Sequence, residues 1–321
     1  TGQLGEWGDS GAPWTNQAPS IVSVVVKEGV AAPSSLRGMF ASCTNLVSLD
    51  LSNLATSETS DMSHMFDGCS SLTSANLSGA LLPETVNLES CFRGCAVLSS
   101  VALSGFGNRS VKLAYMFDGC SSLSSVDLSA FRGANALSIE GMFRNCNSIG
   151  SVDMSGISAL DISYNELFSG CSSLKSADIS GLCNTDRTDV YNWARDGASL
   201  GGKPGHGAEP GPELRTSYMV DMFKDCGRIE RVSVGEGFSP SQRWTIYEWS
   251  GYGDRAFADS DYCFGNCYFD GSYADYAFPD SVGGVNVEWR NVGTGKVYDA
   301  KSVPNGVAAT YAVKFEGGGT D

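Results

Sequence analysis

The sequence predicts an α/β repeat fold, a solenoid whose coils of about 25–26 residues each pair a short helix with a short parallel strand. Three observations predict it. A phenylalanine followed by cysteine three residues on and by leucine or isoleucine three further recurs at Phe40, Phe66, Phe92, Phe117, Phe143, Phe168 and Phe223, in steps of 26, 26, 25, 26, 25 and 55 residues. Fixed periods of this size mark repeat arrays. After each copy, apolar and polar residues alternate, as in Leu46, Leu49 and Leu51 against Ser48, Asp50 and Ser52, which reads as one short strand per coil. Before each copy, sets such as Leu113, Met116, Phe117 and Cys120 stand at i, i+3, i+4 and i+7, the spacing of one helix face.

In chain order, residues 1–30 read as an amino-terminal cap, because Ile21, Val24 and Val26 repeat the strand pattern with no Phe-x-x-Cys before them and two tryptophans, Trp7 and Trp14, lie close by. Residues 31–238 are the solenoid. A single coil is not self-supporting: six or seven buried side chains at roughly 1.5–3 kcal/mol each do not offset about 26 residues ordered at roughly 1–2 kcal/mol each, so neighbouring coils must complete the burial. The core ladder consists of Phe40 and Cys43, Phe66 and Cys69, Phe92 and Cys95, Phe117 and Cys120, Phe143 and Cys146, Phe168 and Cys171, and Phe223 and Cys226. The 55-residue step contains an insertion, 183–215, whose run from Gly201 to Pro212 holds too many glycines and prolines for a regular element. Residues 239–280 form an aromatic-rich cap with an irregular last coil ending in Cys263-Phe264-Gly265-Asn266-Cys267. Residues 281–321 read as a small β module or linker, since Val285, Val287 and Trp289, and later Thr310 to Phe315, alternate about a Gly293-Thr294-Gly295 turn.

The repeated Met-Phe-x-x-Cys-x-x-Leu segments, seen plainly as Met65-Phe66-Asp67-Gly68-Cys69 and Met116-Phe117-Asp118-Gly119-Cys120, resemble the BspA-like leucine-rich repeat of bacterial surface proteins. The resemblance covers about 18–238 and implies a right-handed solenoid on an exported or surface-displayed protein, with adhesion as the associated role. The carboxy-terminal segment looks like the closing half of the Listeria/Bacteroides surface repeat, a β-grasp-like unit.

Eleven cysteines would suggest disulfides in an exported chain, yet seven occupy one repeat slot, where free cysteine packs as a small hydrophobe. Buried free thiols are therefore expected. Cys91 with Cys95, and Cys263 with Cys267, also permit metal half-site or disulfide readings, but Cys91 and Cys263 stand where other copies have methionine, so substitution in a core slot explains them more simply. No metal or other cofactor is expected. On the outer strand face, Asp127, Asp153 and Asp178 fall in one column within ladders of serines, where a cation could bridge neighbouring carboxylates but solvation alone suffices as an explanation.

With 36 acidic against 21 basic residues, net charge −15, nucleic acid and anionic membranes are disfavoured as partners. No run approaches the roughly 20 apolar residues that span a bilayer. The absence of a starting methionine or signal peptide reads as a mature or trimmed segment. Catalysis is not expected: His64 and His206 stand in no motif, and no nucleophile elbow, zinc-binding or phosphate-loop signature occurs. What remains is binding. Exposed aromatics stack on sugars and anchor protein interfaces, so Tyr191 and Trp193 of the insertion, with Trp244, Tyr247, Trp249 and Tyr252 of the aromatic tract, are the candidate contacts for a protein or glycan on host or neighbouring cells. The alternative is a spacer that projects other domains from the cell surface and has no ligand of its own.

Overall fold

The computed structural model describes residues 2–4, 12–51, 53–78, 82–160, 163–183, 221–236, 241–249, 267–276, 278, 281–282, 284–304 and 308–315; of these, 2–3, 160, 183, 241–249, 267–276 and 315 are described by backbone alone. Along one face run the strands that the alternation predicts. β1 (Ser23–Val25), β2 (Ser48–Asp50), β3 (Ser74–Leu77) and β4 (Ser100–Leu103) pair in parallel, one coil apart, so that Ser48, Ser74 and Ser100 are in register, as are Leu49, Ala75 and Val101. β5 (Ser151–Asp153), β6 (Ser176–Ile179) and β7 (Arg231–Val234) form a second parallel block. Between the blocks one expected strand is missing: residues 123–128, which carry the Leu123, Val126 and Leu128 copy, form none. Packing is looser there, with Val101, Leu103 and Val126 only partly buried where Leu49, Ala75, Val152 and Ala177 are buried.

A second sheet bridges that gap. Thr85–Asn87, Ser110–Lys112, Asn135–Ser138, Ser158–Leu160 and Leu182–Cys183 pair in parallel without interruption, so most coils contribute two strands rather than one. Each presents little more than one apolar residue to the core, Val86, Val111, Ala136, Ala159 and Leu182, all buried.

The helix expected in each coil does not form. Its place is taken by a run of turns in which alternate N–H groups serve different partners. Met65, Asp67 and Cys69 donate to the carbonyls of Met62, His64 and Phe66 three residues back, whereas His64, Phe66 and Gly68 donate across to Glu89, Cys91 and Arg93 of the next coil. Two left-handed residues per coil rule out a helix. Two positions before each phenylalanine stand Gly38, His64, Ser90, Tyr115, Gly141, Glu166 and Asp221, with φ between 55° and 62°; two after it stand Ser42, Gly68, Gly94, Gly119, Asn145, Gly170 and Asp225, with φ between 59° and 78°. The turns and their cross-coil bonds recover backbone hydrogen bonding that a helix would have kept within the coil.

Inside, the phenylalanines form one stack. Centroids of Phe40, Phe66, Phe92, Phe117, Phe143, Phe168 and Phe223 are 5.1–5.9 Å apart in sequence, with ring planes within 16°. Trp14, 26 residues before Phe40, extends the stack at 6.0 Å, with its indole N–H donating to the Met39 carbonyl at 2.8 Å.

At the other end, the strand face changes direction. β8 (Ser241–Trp249) and β9 (Cys267–Tyr276) pair antiparallel with each other. β10 (Ser281–Val282), β11 (Val285–Asn291), β12 (Val297–Tyr298) and β13 (Ala309–Phe315) follow, and β13 lies antiparallel between β7 and β11. Trp289 and Tyr311 from this antiparallel set are fully buried, and Phe278 meets them edge-on at 4.8 and 5.3 Å.

Candidate functional site

The aromatic ribbon leaves the solenoid after β7 and returns at buried Phe278. Its register sets Trp244 across from Tyr273, Tyr247 across from Phe269, and Trp249 across from Cys267, with a bulge between Ile246 and Tyr247. Among the described strands, β8 and β9 pair only with each other, so this ribbon extends neither solenoid sheet by hydrogen bonding. Three of the aromatics expected to make contacts, Trp244, Tyr247 and Trp249, thus fall on one strand; Tyr191, Trp193 and Tyr252 lie outside the described residues. Cys267 opens β9, and Cys263 lies outside the described residues.

The repeat cysteines have a defined chemistry. Cys69, Cys95, Cys120, Cys146, Cys171 and Cys226 each donate a thiol hydrogen bond, 3.0–3.2 Å, to the phenylalanine carbonyl of the preceding coil. That carbonyl also accepts the N–H of its own coil's cysteine, as Phe92 does from Cys95 and Cys120. Cys43, Cys91 and these six are free and buried, Cys91 and Cys95 included. Burial pushes every one of these thiols up, Cys69 to about 12. A thiol held protonated in this way is neither a nucleophile nor a metal ligand at neutral pH.

Sequence reasoning missed a polar constellation over the turns. In four consecutive coils the residue after the phenylalanine alternates in sign, Asp67, Arg93, Asp118, Arg144, and these coils pair. Arg93 grips Asp67 through Nε and a terminal nitrogen at 3.0 and 2.7 Å, and Arg144 grips Asp118 likewise at 3.1 and 2.8 Å. Arg144 also donates to Glu166 at 2.7 Å and lies 5.0 Å over the Tyr115 ring, whose hydroxyl donates to Glu140 at 2.8 Å. Gly141 makes room for that ring: a Cβ there would come within 2.4 Å of Tyr115 Cε1. Reading one alignment column down the coils reveals the alternation. Because its charges are spent on one another, the constellation holds coils in register rather than awaiting a ligand. His64 belongs to the same row, 2.9 Å from Asp67.

On the strand face the acidic column is likewise engaged. Asp153 and Asp178 each accept the N–H and hydroxyl of the serine two residues on, Ser155 and Ser180, at 2.6–3.0 Å, and Asp127 accepts the Ser129 N–H at 2.8 Å. Those bonds draw the Asp127 and Asp153 carboxyls below the usual range. Among the described residues no group of three or more histidine, cysteine or acidic side chains is arranged to hold a metal ion. An apolar void of about 10 Å³ bordered by Leu36, Met62, Met65 and Phe106 has room for one water at most. No helix among the described residues is long and apolar enough to cross a membrane.

Fold and surfaces together define a parallel β-solenoid of repeats, with the charged and polar groups of the described residues lying on its faces and edges. The chain belongs to the BspA type leucine rich repeat family: the family model matches in six copies over residues 29–132 and 89–192, together half of the 321 residues. A solved structure of a T. pallidum leucine rich repeat protein is similar at 19% identity, covering 51% of this chain and 68% of that one, with a TM-score of 0.27. No curated protein matches. The family suggests a role in interaction as a repeat scaffold, and no catalytic family is indicated.

Proposed function

We propose that this chain is a non-catalytic bacterial cell-surface binding protein that attaches to a protein or glycan on host or neighbouring cells. Its solenoid is right-handed and runs over 31–238, capped by 1–30 and by the aromatic 239–280, with 281–321 as a small closing β module. Contact is made through the aromatics of the ribbon, Trp244, Tyr247 and Trp249 with Tyr252, joined by Tyr191 and Trp193 of the 183–215 insertion. The observation that carries this reading is the ribbon: nine register pairs of antiparallel strand, rich in Trp and Tyr and unpaired with either solenoid sheet among the described strands. A two-stranded ribbon is marginal by itself, and the stacking surface of Trp and Tyr suits sugar rings and protein interfaces alike.

The test is a W193A/W244A/W249A variant displayed on cells. Loss of attachment with an unchanged far-UV spectrum and thermal midpoint supports the proposal; attachment equal to the unmodified chain sinks it. A chain that finds no ligand in a glycan and protein array would instead be the spacer.

A further inference from the structure

Where the parallel face meets the antiparallel strands, one row of residues in register crosses six strands: Ser151, Ser176, Arg231, Ala312, Arg290 and Val297. Burial alternates along β7 and β11 so that Arg231 and Arg290 are exposed while Val232, Trp289 and Asn291 point inward. Two strand spacings, roughly 10 Å, separate the two arginines, and only the methyl of Ala312 stands between them.

The neighbouring carboxylates are already taken. Glu230 pairs with Lys175 at 3.8 Å, Glu288 with Lys314 at 2.7 Å, and Asp178 accepts from Ser180. The guanidinium groups of Arg231 and Arg290 form no hydrogen bond or ion pair among the described residues, so two forks face solvent with small hydroxyl residues, Ser176, Ser233 and Thr310, around them. In a chain of net charge −15 this is a local reversal of sign.

We infer that this row is a binding site for an acidic glycan, a sugar chain whose carboxylate or sulfate substituents are met by Arg231 and Arg290. Guanidinium groups recognise planar oxyanions with two parallel hydrogen bonds, and they lose little hydration in doing so. Charge complementarity selects the anion. The flat, small-residue floor lacks the large apolar anchors that a protein partner needs, and the acidic surroundings repel densely charged polymers such as nucleic acid. A sparsely charged sugar chain satisfies both constraints.

The experiment measures binding of the whole chain to surfaces coated with lactose, monosulfated lactose or sialylated lactose, and to polyglutamate, at physiological salt. One or both charged sugars should bind, and unsubstituted lactose should not. R231A and R290A should each weaken binding roughly 5- to 30-fold, as for one exposed charge-assisted contact. Arg→Lys at either position should recover part of that loss, and added salt should weaken the unmodified chain. K27A, an exposed cation next to the first strand of the array and far from this row, should leave this binding unchanged. Equal binding by R231A/R290A, equal binding of unsubstituted lactose, binding to polyglutamate alone, or no binding to either charged sugar overturns the inference. The sulfate and sialate arms identify which oxyanion is read.

Discussion

Raising the pH should unfold this protein abruptly, and the cysteine ladder says why. Each buried thiol has a folded-state pKa raised by burial above the 9.0 of an exposed thiol. A raised folded pKa means that the contribution to stability is complete below the unfolded value and is lost as pH climbs from there toward the folded value. One unit above 9, each thiol has cost on the order of 1 kcal/mol. Seven of them, Cys69, Cys91, Cys95, Cys120, Cys146, Cys171 and Cys226, together cost several kcal/mol, which is comparable to the roughly 5–15 kcal/mol that holds a typical domain. Tyr115, pushed up to about 12 by burial and by its hydrogen bond to Glu140, adds to the same slope between its usual value near 10 and that pH. The assay is a pH titration under reducing conditions, following thiolate absorbance and circular dichroism together. Thiolate should appear in one cooperative step with the loss of β-sheet signal, and alkylating reagents should label few thiols before that step. Replacing Cys91 by Met, the residue that Met65 and Met116 provide in the same slot, should move the step to higher pH. Gradual thiolate formation centred near pH 9 while the sheet signal persists would refute the reasoning.

Three further outcomes follow from the same geometry. Phe117→Ala removes a ring stacked 5.7 Å from both Phe92 and Phe143 and should cost about 3–5 kcal/mol in chemical denaturation. Arg144→Ala leaves Asp118, 7% exposed, without its main partner; a loss of about 1–3 kcal/mol is expected, and a double-mutant cycle with Asp118→Asn should show coupling between the two. Ser42→Gly, at a φ of 60° in a column filled by glycine in four other coils, should raise stability by about 1 kcal/mol, seen as a higher denaturant midpoint with unchanged slope.

Misreading the turns as helix has a specific cause. Leu113, Met116, Phe117 and Cys120 all point inward, and the i, i+3, i+4, i+7 pattern records only that. A helix produces it, but so does a chain of turns that reverses at Tyr115 and Gly119. Glycine in the second column hints at positive φ, whereas His64, Ser90, Tyr115 and Glu166 in the first do not; those residues are held left-handed by bonds to the adjacent coil, such as Tyr115 N–H to the Glu140 carbonyl. The second sheet escaped notice because two or three residues with a single inward side chain, as at Val111, carry too little periodicity to read. The charge alternation of Asp67, Arg93, Asp118 and Arg144 was legible in the column after phenylalanine, since only residues one period apart become neighbours.

The repeat period, the inward Phe and Cys columns and the outward serines were determined by the sequence alone, because each coil meets an equivalent coil and so the same slot imposes the same size and polarity every time. How the array is closed was decided only by tertiary structure. β7 meets β13 across a separation of 77 residues, as in the hydroxyl contact of Ser233 with Thr310, and that pairing lies outside any period. It carries Trp289 and Tyr311 into the core at that end and, on the opposite surface, sets Arg231 beside Ala312 and Arg290. No local pattern announces such a row, because it exists only once strands distant in sequence share a register.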